Sequence, residues 1–305
     1  KYGAKLAEIV LHDSAHIHEG DSHSEGDEPL YNADDVTKTI ALFKIVEFRK
    51  NISIAENISV TFYPSGHILG SAFLEIVAAG KRLVFTGDMG RNGHPLLVDP
   101  DNPPNSQIDA LITESTYGDR LHDNDIDKFV AEINAGVKRG GSILIPAFAI
   151  DRTEVILMAL HELIDAKKIP PLPIYVDSPM AIAALNLYRK AINENSMEIR
   201  KEVRSEFQGT DPFNPGGLVQ ALDVEQSKLL PIEDQQSIII SASGMATGGR
   251  VVHHLKDMLG NGDNTILLVG FQAIGSRGRM LEDGINRIRI FADWRTPGMI
   301  LRPGK

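Results

Sequence analysis

The stretch Gly66-His67-Ile68-Leu69-Gly70-Ser71-Ala72, followed by Phe85-Thr86-Gly87-Asp88 and then Thr113-Glu114-Ser115-Thr116-Tyr117-Gly118-Asp119, decides how this chain reads. Each segment comes directly after a short apolar run. Residues 59–63 alternate in the strand manner and stop at Pro64, so His67 falls in a turn bounded by glycines. Residues 73–77 and 82–85 form the next two strands, with Asp88 following the second. Residues 110–113 form another, which delivers Glu114 to the same edge. A His, an Asp and a Glu at the ends of neighbouring strands suit a metallohydrolase. Imidazole and carboxylate are zinc donors, a carboxylate can bridge two ions, and strand ends hold ligands on a rigid frame.

The remainder of the 305 residues supports two domains of ordinary size. Beyond a helix at 126–137 the pattern becomes alternating apolar strand and helix. Strands are predicted at 142–146, 174–176, 237–241 and 265–269, with helices at 153–166, 181–192 and 249–259 between them. Short, wholly apolar strands separated by helices indicate a parallel sheet covered on both faces. Residues 5–11 read as helix or strand, 20–29 as an exposed loop, and 34–42 as a helix. Residues 206–226, rich in Gly and Pro near Pro212-Phe213-Asn214-Pro215-Gly216-Gly217, read as an irregular excursion.

Composition removes several classes. Cys is absent, which excludes disulfides and thiolate metal ligands and fits a reducing, cytoplasmic setting. No apolar run approaches the roughly 20 residues that span a bilayer. The formal net charge of −10 argues against a passive polyanion binder, since phosphate affinity comes mainly from Lys and Arg. Any nucleic-acid function therefore has to rest on a local site. Arg250, Lys256, Arg277, Arg279, Arg287, Arg289 and Arg295 supply cations late in the chain, most of them read as solvated charges.

The ordered motifs resemble those of the metallo-β-lactamase superfamily, specifically its β-CASP branch of RNA-processing nucleases. The resemblance runs through Ile145-Pro146-Ala147-Phe148-Ala149, Tyr175-Val176-Asp177-Ser178-Pro179, Ser241-Ala242-Ser243-Gly244-Met245, residues 247–255 and Gly270-Phe271-Gln272-Ala273. It implies an α/β protein made of a partial αββα sandwich at residues 1–145 plus 281–305, with a β-CASP α/β domain inserted at 146–280. It implies two zinc ions in the complete protein, with His67 binding one of them and Asp88 bridging both. Glu114 is then a catalytic residue that orients a ligand or handles a proton. RNA is the implied partner, with Arg152, Ser243, Gly244 and Arg250 as its contacts, and a homodimer is an open option; no membrane is involved. The turn at Ser243-Gly244, read as strand, Gly turn and helix, suits a phosphate because N–H groups converge at a helix N-terminus.

The sequence departs from the pattern in places. Asp151 stands where the family usually has Gly, and Ile274 where it usually has Glu. The family's His-x-His-x-Asp-His motif and its late His are not found, and His16-Ile17-His18 with Asp21 has the wrong spacing to replace them. The chain is therefore expected to be an internal piece of a longer protein, one that holds zinc poorly by itself. The expected activity is zinc-dependent hydrolysis of RNA phosphodiester bonds. A non-catalytic scaffold subunit is the alternative, and a thioesterase or lactamase of the same fold is disfavoured by the inserted domain.

Overall fold

The computed structural model describes residues 1–301 apart from 26–27, 105–106, 120–125, 208, 229, 231–234, 292, 296 and 298. Along the chain lie α1 (Tyr2–Glu25), α2 (Ala33–Ala41), β1 (Ile52–Ala55), β2 (Ile58–Pro64), β3 (Ala72–Ala78), β4 (Lys81–Phe85), β5 (Ala110–Ile112), α3 (Ile126–Arg139), β6 (Ile143–Pro146), α4 (Arg152–Asp165) and β7 (Ile174–Asp177). There follow α5 (Pro179–Asn193), α6 (Lys201–Glu206), β8 (Leu218–Gln220), α7 (Val224–Lys228), β9 (Ile238–Ser241), α8 (Arg250–Met258), β10 (Thr265–Leu267), α9 (Arg277–Glu282), β11 (Ile288–Ile290), β12 (Asp293–Arg295) and β13 (Met299–Leu301).

Two compact units emerge: Lys1–Arg120 with Leu187–Thr210, and Leu121–Asn186 with Asp211–Lys305. In the first, β1 to β5 form one sheet in sequence order. The first four strands are antiparallel neighbours, and β5 adds in parallel to β4 with Phe85 opposite Ile112. That register lets the segments carrying Asp88 and Glu114 leave the sheet side by side. β2 and β3 pair until Pro64 meets Ala72, so the segment between them, which holds His67, closes off the same sheet. Asn32 starts α2 with a capping box, its side chain accepting from the backbone of Asp34 and Asp35 while Asp35 reaches back to the Asn32 N–H.

The second unit contains a six-stranded sheet in the order β13-β10-β6-β9-β7-β8, every pairing parallel. All residues of β6, β7 and β9 are buried, as strands covered on both faces must be. Val251, Val252, Leu255 and Met258 of α8 share one core with Leu144 of β6, Ile239 of β9 and Ile266 of β10. The chain leaves β6 through α4 toward β7, and leaves the adjacent β9 through α8 toward β10, on the other side of β6. Connections that diverge from neighbouring parallel strands open a crevice at their carboxyl ends, where α/β sheets bind ligands.

Four expectations need correction. Residues 20–25, read as loop from their polar composition, continue α1, because a solvated helix carries the same polar residues as a loop. The excursion at 206–226 contains β8, which pairs with β7 as an edge strand too short to show a periodic pattern. The strand near 287–291 pairs with β12 in a hairpin of its own and not with the first sheet. The expected division at 145/146 and 280/281 also differs from the compact units. Residues 121–145 and 281–305 fall in the second unit, since β6 hydrogen-bonds to β9 and β10 on its two sides and β13 extends the sheet from β10. Residues 187–210 fall in the first unit, where Tyr188 Oη accepts from the Leu69 N–H at 3.0 Å.

Candidate functional site

In the first unit His67, Asp88 and Glu114 meet through backbone constraints. Ser71 Oγ accepts from the N–H groups of His67 and Ile68, both at 3.1 Å, which closes the turn around His67. Gly90 donates to Ser65 O at 2.8 Å, and a Cβ at Gly90 would lie 2.1 Å from Gly66 O. Only glycine permits that approach, which brings the Asp88 loop against the His67 turn. His67 Nε2 stands 3.8 Å from Asp88 Oδ2, with side chains 44% and 73% exposed. Glu114 accepts from the Met89 N–H at 2.9 Å, tying the end of β5 to the Asp88 loop. The Thr116 hydroxyl and the Met89 N–H hold its carboxyl below the ordinary glutamate range, against a smaller opposing effect of burial.

This pair can serve a metal. Nitrogen and oxygen donors on one tetrahedral zinc ion lie about 3.3 Å apart, given bonds of roughly 2.0–2.1 Å, close to the observed separation. Among the described residues no group of three or more His, Cys, Asp or Glu is arranged to hold a metal ion. His67 and Asp88 therefore fit as two ligands of a larger set.

The second unit places the other expected residues at the carboxyl end of its sheet. Arg152 opens α4 directly after Asp151, whose φ of 68° occupies the left-handed region that the Gly usual at this position would enter without strain. No hydrogen bond or ion pair joins the Arg152 guanidinium to another described residue. Ser243 Oγ is engaged inside its turn, accepting from the Thr247 N–H at 3.1 Å and donating to Gly248 O at 3.4 Å. Gly244 lies against Phe148: a Cβ there would be 2.9 Å from Phe148 N and 3.0 Å from its Cδ2. The carbonyl of Gly244 accepts from Gln272 Nε2 at 3.1 Å. Both residues thus shape the turn, whose exposed members are Thr247, Gly248 and Gly249.

Arg250 is placed differently from the expectation of an RNA contact. Its Nη1 donates to Asp177 Oδ1 at 2.6 Å and to Ala221 O at 2.9 Å. The Asp177 side chain is 0% exposed and that of Arg250 18%. Asp177 Oδ2 also receives Ser227 Oγ at 2.6 Å and stands 2.7 Å from His254 Nε2. Burial alone would raise the Asp177 pKa; the bonds from His254, Ser227 and Arg250 together outweigh it and hold the carboxyl below the ordinary aspartate range. The cation the sequence did not single out is Arg277, whose Nη1 donates to Ala246 O at 3.3 Å and Thr247 O at 2.9 Å. It sets a guanidinium beside the exposed turn. Its spacing from the Gly-rich segment carried no signal, because the two meet only through the fold.

Comparison with known proteins agrees with the motifs and the second sheet. Residues 153–281 match the Beta-Casp domain. The chain is 34% identical over 291 residues to a ribonuclease of Thermus thermophilus, covering 94% of this chain and 64% of that protein. It is 33% identical over 266 residues to an RNase J-like protein of Methanocaldococcus jannaschii, covering 86% and 60%. It is 32% identical over 275 residues to the transcription termination factor FttA of Methanothermobacter thermautotrophicus, covering 88% and 42%. The class is thus a protein with a β-CASP α/β domain. The chain belongs to the β-CASP family of the metallo-β-lactamase superfamily, and spans less than two thirds of the length of these relatives. No helix among the described residues is long and apolar enough to cross a membrane.

Proposed function

We propose that the protein of which this chain is part is a zinc-dependent ribonuclease that hydrolyses RNA phosphodiester bonds. The observation that carries the reading is the His67–Asp88 pair, two zinc-type donors 3.8 Å apart on neighbouring loops, in a chain with a ribonuclease relative at 34% identity. In this reading the five-stranded sheet is part of a metallo-β-lactamase αββα sandwich, and the β-CASP domain is built around the second sheet. His67 and Asp88 hold the metal, which when bound supplies a hydroxide at neutral pH and neutralises charge on the phosphoryl oxygens.

Glu114 acts mainly by orientation. A carboxylate held below its ordinary pKa is a weak proton acceptor, and its bond to the Met89 N–H fixes the loop that presents Asp88. RNA contacts come from Arg152 and from the turn at Ser243 and Gly244, with Arg277 beside it, and not from Arg250, which is held inside. A lactamase or thioesterase of this fold would have no use for a second α/β unit with its own crevice. The test is cleavage of labelled RNA by the full-length protein with and without a chelator, together with its zinc content. Chelator-sensitive cleavage supports the reading, and a zinc-loaded protein that cleaves no RNA overturns it in favour of a scaffold subunit.

A further inference from the structure

Two phenylalanines at the crevice of the second sheet keep their rings in solvent. Phe148, two residues beyond the end of β6, is 42% exposed, and Phe271, four residues beyond the end of the neighbouring β10, is 38% exposed. Elsewhere in the chain Phe73, Phe129 and Phe213 are buried. Single exposed aromatics need no explanation. These two share a frame: the Gly244 backbone lies against the Phe148 ring, and the carbonyl of Gly244 is held by the side chain of Gln272, the residue after Phe271. The Thr153 hydroxyl donates to Phe148 O at 3.0 Å, fixing the segment that carries both Phe148 and Arg152. Rings whose backbone is pinned while their faces stay open, at the carboxyl edge of a doubly wound sheet and four residues from an unpaired guanidinium, have the chemistry that takes a base and its phosphate.

We propose that Phe148 and Phe271 stack the unpaired nucleobases of single-stranded RNA. The proposal rests on the ribonuclease reading and specifies its substrate as unpaired. Base stacking on aromatic rings is tolerant of sequence, since every base offers a π-face, so the platform selects single strands over duplexes and not one base over another. Arg152, with no internal partner, supplies the complementary charge for the backbone that the stacked bases carry.

The test uses the full-length protein in EDTA, with fluorescence anisotropy on a labelled hexaadenylate, the same hexamer with abasic ribose at every position, and a hexaadenylate–hexauridylate duplex. Wild type is expected to bind the single-stranded hexaadenylate more tightly than either other probe. Phe148→Leu and Phe271→Leu are each expected to lower that affinity about 5- to 150-fold, the range of one stacked base, while leaving abasic binding unchanged. Phe148→Tyr, which keeps the ring, is expected to retain affinity, and it guards against misfolding of the Leu variant. Equal losses on hexaadenylate and abasic RNA, or a Tyr variant as weak as the Leu variant, overturn the platform. Wild type that binds both hexamers equally overturns it too, while leaving the ribonuclease reading intact. Wild type that neither binds nor, with zinc restored, cleaves RNA overturns both.

Discussion

Arg250 Nη1 lies 2.6 Å from Asp177 Oδ1, joining the first residue of α8 to the last residue of β7. A guanidinium so engaged holds the fold in place of gripping RNA. Removing one partner of a buried pair leaves the other charge uncompensated, at a typical cost of about 3–5 kcal/mol. Arg250→Ala is therefore expected to lower the melting temperature strongly. Any loss of RNA affinity should track the unfolded fraction, with the salt dependence of the folded protein's RNA binding unchanged, as read by thermal denaturation beside binding across a salt series.

The same cluster sets a pH dependence. The folded Asp177 carboxyl sits below its ordinary value, whereas the unfolded value is about 3.9. Its contribution to stability is therefore full above the unfolded pKa and is lost as pH falls through the folded one. Melting temperature measured from neutral to acid pH should fall over that window in wild type. In Asp177→Asn the corresponding part of the acid limb should disappear, from a lower starting stability. An acid limb identical in the two proteins would contradict the assignment.

Asp88→Ala in the full-length protein should abolish RNA cleavage and leave the fold intact, since the side chain is 73% exposed and packs little. Circular dichroism and a cleavage assay separate the two effects. Cleavage at the wild-type rate would sink the metallonuclease mechanism.

Gly90→Ala probes the same site through the backbone. The added methyl would lie 2.1 Å from Gly66 O and 2.7 Å from His67 N, so the Asp88 loop must move away from the His67 turn. Overpacking of this kind costs about 1–3 kcal/mol. The variant should melt earlier and bind zinc more weakly than wild type in a competition titration with a chromogenic chelator.

Arg152→Ala should weaken RNA binding by about 1.5–3 kcal/mol, as for a lost hydrogen bond to a charged group, and lower the salt slope by roughly one unit. Thermal stability should not change, because the guanidinium makes no bond within the protein that would be lost. A variant with unaltered affinity and slope would remove Arg152 from the RNA contacts.

What the sequence determined by itself was local. Alternation in 59–63 and apolar runs at 143–146 and 238–240 specify strands wherever they fold, because period and burial are written in consecutive residues. The same holds for the glycine-bounded turns that present His67 and Asp88, whose residue types carry their own chemistry. Tertiary structure alone decided what each charged group faces. Arg250 and Arg277 look alike in the sequence, yet one is locked to Asp177, 73 residues away, and the other borders the turn at Ala246 and Thr247. It also decided the unit boundary. β13, only three residues long, belongs to the second sheet because β10 leaves it a free edge, and a hydrogen-bonded edge leaves no periodic mark in so short a strand.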